Sequence, residues 1–187
     1  MAVFTTQNAP MLATYGRMLA AIPIFVFYYL GAPWSVWPLV GVFLVASWTD
    51  WLDGYLARKY SSESDMGKFM DPVADKLLVL TCLILLLHAH RVDPLMIVVL
   101  LGRDIYIGGL RAMAALKNIV IAAKPLGKWK TAIQMASIPC LFIHEPELFF
   151  QWPIDKIGYY GLWISVVLSL VSGFQYALGY YSGAKSQ

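Results

Sequence analysis

Long apolar stretches separated by short polar ones dominate this chain, and the pattern predicts a bundle of helices. The apolar runs, rich in Leu, Val, Ile and aromatic residues, approach or reach the roughly 20 positions with which an α-helix crosses a membrane. The breaks between them contain Pro, Gly and charged residues, which end helices. We predict six helices with these approximate bounds: 17–31, 36–59, 67–88, 95–116, 128–144 and 158–181.

The region before the first long apolar run has a mixed pattern. Residues 8–16 are polar and apolar by turns, with Pro10 near their start, and they predict a short amphipathic segment along a membrane surface. The run from Arg17 to Gly31 is short for a full span. The first helix therefore either includes residues before Arg17 or is tilted.

The composition supports a membrane location. The 187 residues are 59% hydrophobic and only 13% charged, against about 25% charged in typical soluble domains. The mean hydropathy is +0.64. We predict an all-α integral membrane protein with about six transmembrane helices, forming a single membrane-embedded domain over residues 1–187. Because basic residues form no continuous run, we expect no nucleic-acid partner.

The formal net charge of +3 is modest, so the positions of the charges are more informative. Six spans place both termini on one side of the bilayer. The basic residues expected on that side are Arg58, Lys59, Lys68, Lys117, Lys124, Lys128, Lys130 and Lys185, whereas the other side has Arg91 and Lys156. Since cytoplasmic loops carry the excess of Lys and Arg, we expect both termini to be cytoplasmic.

An acidic motif interrupts the apolar pattern where the second predicted helix gives way to the third. It reads D-x2-D-G-x2-A-R-x8-G-x3-D-x3-D and begins at Asp50. On an α-helix Asp50 and Asp53 share one face, and Asp71 and Asp75 share a face of the next helix. If residues 61–65 form a turn, the helices are antiparallel and four carboxylates converge. Such a set needs cations, and its oxygen ligands suit Mg²⁺ or Mn²⁺.

The other fixed positions of the motif fit a phosphate ligand. Gly54 and Ala57 lie on the same side as Asp50, so that a phosphate could approach the helix closely. Arg58, one turn further, could bind phosphate oxygens through paired hydrogen bonds. The alternative is that these acids are the solvated end of a membrane helix. The apolar neighbours of Asp71 favour the binding site instead.

This motif resembles the signature of the CDP-alcohol phosphatidyltransferases, which are integral-membrane enzymes, and every position of the signature is present. The resemblance implies a CDP-alcohol phosphotransferase-like fold with a core at about residues 8–135, followed by little more than a membrane helix. It implies two divalent cations, Mg²⁺ or Mn²⁺, bound by Asp50, Asp53, Asp71 and Asp75. It also implies that Asp75 is the catalytic base, that Arg58 binds the diphosphate, and that Gly54, Ala57 and Gly67 leave room for the nucleotide.

A second cluster of polar residues occurs further along the chain. Arg103 and Arg111 lie about 80° apart around the fourth helix, and Lys128, Lys130 and Thr131 lie near the start of the fifth, where a helix dipole favours anions. We predict that these five residues bind a phosphate of the acceptor substrate. The alternatives are snorkelling side chains and ordinary loop charges, with Asp104 as an ion-pair partner of Arg103.

The sequence from Arg103 to Arg111 resembles the branch of the family that makes phosphatidylglycerol phosphate, although that branch usually has Glu where this chain has Asp104. Residues 8–17 resemble the N-terminal motif of that branch. The resemblance implies CDP-diacylglycerol and sn-glycerol 3-phosphate as substrates. It also implies a multi-pass protein of a bacterial cytoplasmic membrane, with its active site facing the cytoplasm, and a possible homodimer.

Other functions stay open on the sequence. The acceptor could instead be inositol phosphate, or phosphatidylglycerol as in cardiolipin synthesis. A cation transporter is a third hypothesis, because intramembrane acids often line ion pathways. The clustering of the acids near one end of their helices argues against it.

Overall fold

The computed structural model describes the backbone of residues 9–60, 65–117, 125–143 and 153–185, and the side chains of these residues except 9–15, 17, 33, 50–75 and 183–185. These ranges contain helices and no β-strand. The α-helices are α1 (Ala9–Leu30), α2 (Val36–Tyr60), α3 (Asp65–His88), α4 (Pro94–Leu116), α5 (Pro125–Phe142) and α6 (Ile154–Lys185). The predicted all-α architecture is confirmed.

The predicted bounds agree with α2, α3 and α4 to within two residues. The other three helices begin earlier than predicted, at Ala9, Pro125 and Ile154. The expected amphipathic segment is thus the beginning of α1. Pro125 lies outside the predicted bounds of the fifth helix, yet proline suits the first turn of a helix because its φ is already helical and the amide hydrogen it lacks would have no partner there.

The chain divides into two compact units, Met1–His88 and Ala89–Gln187. In the first unit α1 packs against both α2 and α3. Gly31 follows α1 with a φ of +62°, a left-handed conformation that glycine adopts without strain. The fully or almost fully buried apolar side chains of this unit include Ile24, Leu39, Phe43, Leu83 and Leu86.

In the second unit α6 packs against α5 and α4. A Cβ atom at Gly158 would lie 2.9 Å from Leu141 Cγ and 3.0 Å from the Leu141 backbone nitrogen. One at Gly161 would collide with the Ser137 hydroxyl. Small residues therefore allow α5 and α6 to approach each other closely, as is common between membrane helices.

A contact between residues far apart in the sequence caps the C-terminal end of α5. Arg91, in the turn before α4, donates hydrogen bonds from Nη1 to the carbonyl oxygens of Leu141 and Phe142, each at 2.9 Å. The last carbonyls of a helix have no partner within the helix. Arg91 provides one from a different part of the unit.

The exposed face of α6 is more apolar than the face that packs against α4 and α5. Ile164, Val167 and Phe174 are more than half exposed, whereas Ser165 and Ser169 are fully buried. Large exposed apolar surface is unfavourable in water and suits lipid. Together with the composition, this distribution indicates a membrane protein.

Within the described ranges one helix, α6 over Ile154–Ser182, is long and apolar enough to cross a membrane by length and composition. Shorter apolar stretches occur at Met18–Leu30, Val36–Thr49 and Lys76–His88. In α4, Arg103, Asp104 and Arg111 interrupt the apolar sequence. The six transmembrane spans therefore stay a prediction.

We predict that Gly158→Ala lowers the free energy of unfolding by about 1–3 kcal/mol, because the added methyl group would overlap the backbone of α5 as well as a side chain. The measurement is unfolding of the purified protein in mixed micelles titrated with a denaturing detergent. The matched control is Gly109→Ala on α4, where a Cβ would have no heavy atom within 4 Å. Equal stability of the two variants would contradict the close packing of α5 and α6.

Candidate functional site

The four aspartates of the acidic motif lie on two consecutive helices. Asp50 and Asp53 are in α2, and Asp71 and Asp75 are in α3. Asp50 precedes the end of α2 by the same number of residues by which Asp75 follows the start of α3. At the α-helical rise, this number corresponds to about 15 Å along each helix. Asp53 and Asp71 are each about 10 Å from the same two ends. The two acidic pairs therefore have matching positions along their helices.

The side chains of these aspartates lie outside the described part of the structure. The same is true of Gly54, Ala57 and Arg58 in α2 and of Gly67 in α3. Among the side chains that are described, there is no group of three or more His, Cys, Asp or Glu residues that could bind a metal ion. The convergence of the four carboxylates thus stays a prediction, and four carboxylates are a suitable ligand set for hard divalent cations.

A cluster of charged side chains is described in the second unit, between α4 and α5. Asp104 accepts hydrogen bonds from Lys130 Nζ at 2.8 and 3.0 Å and from Arg103 Nη1 at 2.9 Å. The Lys130 side chain is 3% exposed, and those of Arg103 and Asp104 are 16% and 20% exposed. Because burial penalises an unpaired charge, the shared carboxylate is what allows both cations to lie here.

Helix α6 contributes the remaining contacts of Arg103. The guanidinium donates from Nε to the Ser169 carbonyl oxygen at 3.2 Å and from Nη2 to Ser172 Oγ at 2.9 Å. A Cβ at Gly173 would lie 3.1 Å from Arg103 Cγ, so the arginine stem lies directly on the backbone of α6. The Ser165 hydroxyl donates to the carbonyl oxygen of Lys130 at 3.1 Å.

The other residues of the predicted acceptor pocket have different surroundings. Arg111 is exposed, and its Cζ lies 5.4 Å from the centre of the Tyr176 ring. Lys128 is exposed, and the Thr131 hydroxyl donates to the Gly127 carbonyl oxygen at 3.2 Å. The described contacts thus join Arg103 and Lys130 through Asp104, and they do not join the remaining three residues to that pair.

Sequence reasoning did not find Ser172, Ser169 or Gly173, because it treated the last part of the chain as a plain membrane helix. Small residues recur there at intervals of three or four, which is the spacing of one helix face. The positions are Gly158, Gly161, Ser165, Ser169 and Ser172. Such a series is typical of a helix that packs closely on others, and it was the available signal.

Comparison with known proteins identifies the family. The sequence profile of the CDP-alcohol phosphatidyltransferases matches residues 7–171, which is most of the chain. The chain belongs to the CDP-alcohol phosphatidyltransferase family. The matched region includes the acidic motif and the Arg103–Asp104–Lys130 cluster, and it extends well past the predicted core of residues 8–135 into α6.

Individual relatives support the same assignment. A protein of Rickettsia bellii is 34% identical over 91% of this chain and 93% of its own length. One of Bacillus subtilis is 37% identical over 90% of this chain and 93% of its own length. Both are named CDP-diacylglycerol–glycerol-3-phosphate 3-phosphatidyltransferase. A rice protein named cardiolipin synthase (CMP-forming) is 40% identical over 87% of this chain and 54% of its own length.

Membership in this family makes the chain an enzyme, a phosphatidyltransferase. It also indicates membrane association, in agreement with the exposed apolar surface of α6. The hypothesis of a cation transporter has no support from these comparisons.

We predict that Asp104→Asn destabilises the second unit by about 3 kcal/mol, because it removes the negative charge that is paired with two largely buried cations. Asp104→Glu keeps the carboxylate and is expected to retain most of the stability. The measurement is unfolding in mixed micelles.

The matched control is Asp93→Asn. Asp93 is exposed and accepts a hydrogen bond from the Tyr159 hydroxyl at 2.6 Å, which an asparagine oxygen can also accept. We expect this change to cost less than about 1 kcal/mol. An Asp104→Asn protein as stable as the control would show that the pairing contributes little.

Proposed function

We propose that the enzyme transfers a phosphatidyl group from CDP-diacylglycerol to sn-glycerol 3-phosphate, giving phosphatidylglycerol phosphate and CMP. The observation that carries the proposal is the complete acidic motif at matching positions on α2 and α3, in a chain whose relatives from Rickettsia bellii and Bacillus subtilis bear the name of this reaction. The buried Lys130 and the largely buried Arg103 further support an acceptor that carries a phosphate.

The proposed cofactors are two divalent cations, Mg²⁺ or Mn²⁺. Asp50, Asp53, Asp71 and Asp75 would hold them, since carboxylate oxygens are the ligands these ions prefer. Bound there, the ions would withdraw charge from the diphosphate and stabilise the departing CMP.

The side chains of the motif have separate proposed roles. Asp75 accepts the proton of the attacking acceptor hydroxyl, whose oxygen forms a bond to the β-phosphorus of CDP-diacylglycerol. The bond from that phosphorus to the bridging oxygen breaks, and CMP leaves with the electron pair. Arg58 binds the diphosphate. Gly54, Ala57 and Gly67 leave space for the nucleotide.

The acceptor's phosphate is proposed to bind to the basic residues of the second unit, Arg103, Arg111, Lys128 and Lys130, with Thr131. Of these, Arg103 and Lys130 are already held together by Asp104. The positive charges of Arg103 and Lys130 would attract an anion into these largely apolar surroundings.

Phosphatidylglycerol is the alternative acceptor, as in cardiolipin synthesis, and the rice relative named cardiolipin synthase favours testing it. It also carries a phosphate, so the basic cluster alone does not distinguish it from glycerol 3-phosphate. Inositol phosphate is a further phosphorylated acceptor.

We also propose six transmembrane spans in a bacterial cytoplasmic membrane, with both termini and the active site at the cytoplasmic face. The excess of basic residues on that side of the predicted topology supports this orientation. A homodimer stays a prediction.

We predict that Asp75→Asn lowers the rate of CMP release by at least about 10²-fold, because an amide cannot accept the proton of the attacking hydroxyl. The measurement is CMP release by the purified protein with CDP-diacylglycerol and glycerol 3-phosphate. The control is Asp155→Asn in the first turn of α6, which is expected to leave the rate within about twofold. Normal turnover by a folded Asp75→Asn protein would exclude this residue as the base.

We predict that glycerol 3-phosphate is the preferred acceptor in a competition with phosphatidylglycerol, inositol phosphate and unphosphorylated glycerol. The enzyme receives CDP-diacylglycerol labelled in its diacylglycerol part, and the lipid products are separated. Phosphatidylglycerol phosphate is expected to be the main product.

The control for this assay replaces Mg²⁺ and Mn²⁺ with excess EDTA, which is expected to stop every transfer. Cardiolipin as the main product would replace the proposed acceptor with phosphatidylglycerol. Undiminished transfer in EDTA would contradict the proposed cations.

A further inference from the structure

We propose that Ser172 in α6 is a positioning residue, which holds Arg103 in the orientation that binds the phosphate of the acceptor. The inference rests on the proposed function, because it requires an acceptor that carries a phosphate. It assigns α6, which has no part in the acidic motif, a role in the choice of substrate.

The hydrogen bonds of Arg103 divide its guanidinium into two sides. Nε and Nη2 are neighbours on one side of the guanidinium. Nε donates to the Ser169 carbonyl oxygen and Nη2 donates to Ser172 Oγ, and both acceptors belong to α6. Nη1 donates to Asp104. A guanidinium has five N–H groups, so two of them, one on Nη1 and one on Nη2, have no partner among the described residues. Because α6 binds the neighbouring N–H groups of Nε and Nη2, we assign these remaining donors to the anion.

Ser172 is fixed as an acceptor for Arg103 by its own donor bond. Its hydroxyl donates to the Ser169 carbonyl oxygen at 3.2 Å, so a lone pair of Oγ faces Nη2. Ser172 is 5% exposed, which leaves little room for water to replace this contact. An alanine at this position would leave Nη2 without that partner, and the guanidinium could then rotate about its stem.

Gly173 restricts the same arginine at its stem. A Cβ on this residue would lie 3.1 Å from Arg103 Cγ and 3.4 Å from Nε. A methyl group there would therefore shift the guanidinium by a few tenths of an ångström while Ser172 keeps its hydroxyl. Two adjacent residues of α6 thus set the position of Arg103 by different means, a hydrogen bond and a steric contact.

A purely structural role for Ser172 would be to satisfy a largely buried arginine. Loss of that role would lower the stability of the protein without lowering the affinity for one substrate more than for the other. A positioning role requires that the affinity for the acceptor falls while the affinity for CDP-diacylglycerol does not. The two roles therefore differ in which KM changes.

The experiment compares Ser172→Ala with Ser137→Ala in detergent-purified full-length enzyme. Ser137 is a matched control, because it is 4% exposed and its hydroxyl donates to the Ile133 carbonyl oxygen of its own helix. For Ser172→Ala we expect the KM for glycerol 3-phosphate to rise about tenfold, the effect of losing one hydrogen bond to a charged group. The KM for CDP-diacylglycerol should stay within about twofold, and Ser137→Ala should change neither by more.

A second readout needs no turnover. Inorganic phosphate is titrated into each protein, and its binding is followed by the rise in the unfolding temperature. Weaker phosphate binding by Ser172→Ala than by Ser137→Ala supports the inference even if the preferred acceptor proves to be another phosphorylated compound. Failure of the proposed substrate assignment is thereby separated from failure of the positioning role.

Gly173→Ala decides the matter if Ser172→Ala is too unstable to assay. We expect it to raise the KM for the acceptor selectively as well. Equal changes in both KM values, or the same phosphate affinity in the Ser172, Gly173 and Ser137 variants, would overturn the inference.

Discussion

Charges inside an apolar helical bundle need partners where they lie, and in the second unit Asp104 is paired with two cations. Lys130 reaches it from α5, and Arg103 precedes it in α4. Desolvation penalises each of these ions separately, so none would be stable here alone. Helix α6 takes part in the same arrangement, since the Ser169 carbonyl and the Ser172 hydroxyl accept hydrogen bonds from Nε and Nη2 of Arg103.

The two polar regions of the chain differ in the charge of their main residues. The acidic motif contains four carboxylates and one arginine, and divalent cations would balance it. Among the described side chains, the cluster around Asp104 has two cations and one carboxylate, and under the proposed function a phosphate group would bind there. Under the proposed function each region is completed by the ligand that the reaction brings to it, so binding the substrates and stabilising the folded chain depend on the same electrostatic balance.

Much of the fold could be predicted from the sequence, because helix existence follows from apolar length and from breaks at Pro, Gly and charged residues. The bounds of α2, α3 and α4 were predicted closely. The start of α5 was predicted too late, after Pro125, because proline is common both in loops and in the first turn of a helix. The acidic motif was found because its residues recur at fixed intervals along two consecutive helices.

The surroundings of Arg103 could be predicted only in part. Asp104 is its neighbour in sequence and was recognised as a possible partner. Lys130 was counted among the basic residues near a membrane surface, yet it is buried and paired. Ser172 lies about 70 positions away in the chain, and its contact with Arg103 depends on how α6 is rotated against α4. Helix periodicity alone does not specify that rotation.

The hydrogen bonds of Arg91 have a mechanical consequence. Because one guanidinium nitrogen holds the last two carbonyls of α5, the turn that leads into α4 and the terminus of α5 are fastened together. Force applied to the chain between α5 and α6 would be transmitted through these two hydrogen bonds to the beginning of α4. The helix that carries Arg103 is thereby anchored at its beginning by a residue that has no part in the chemistry.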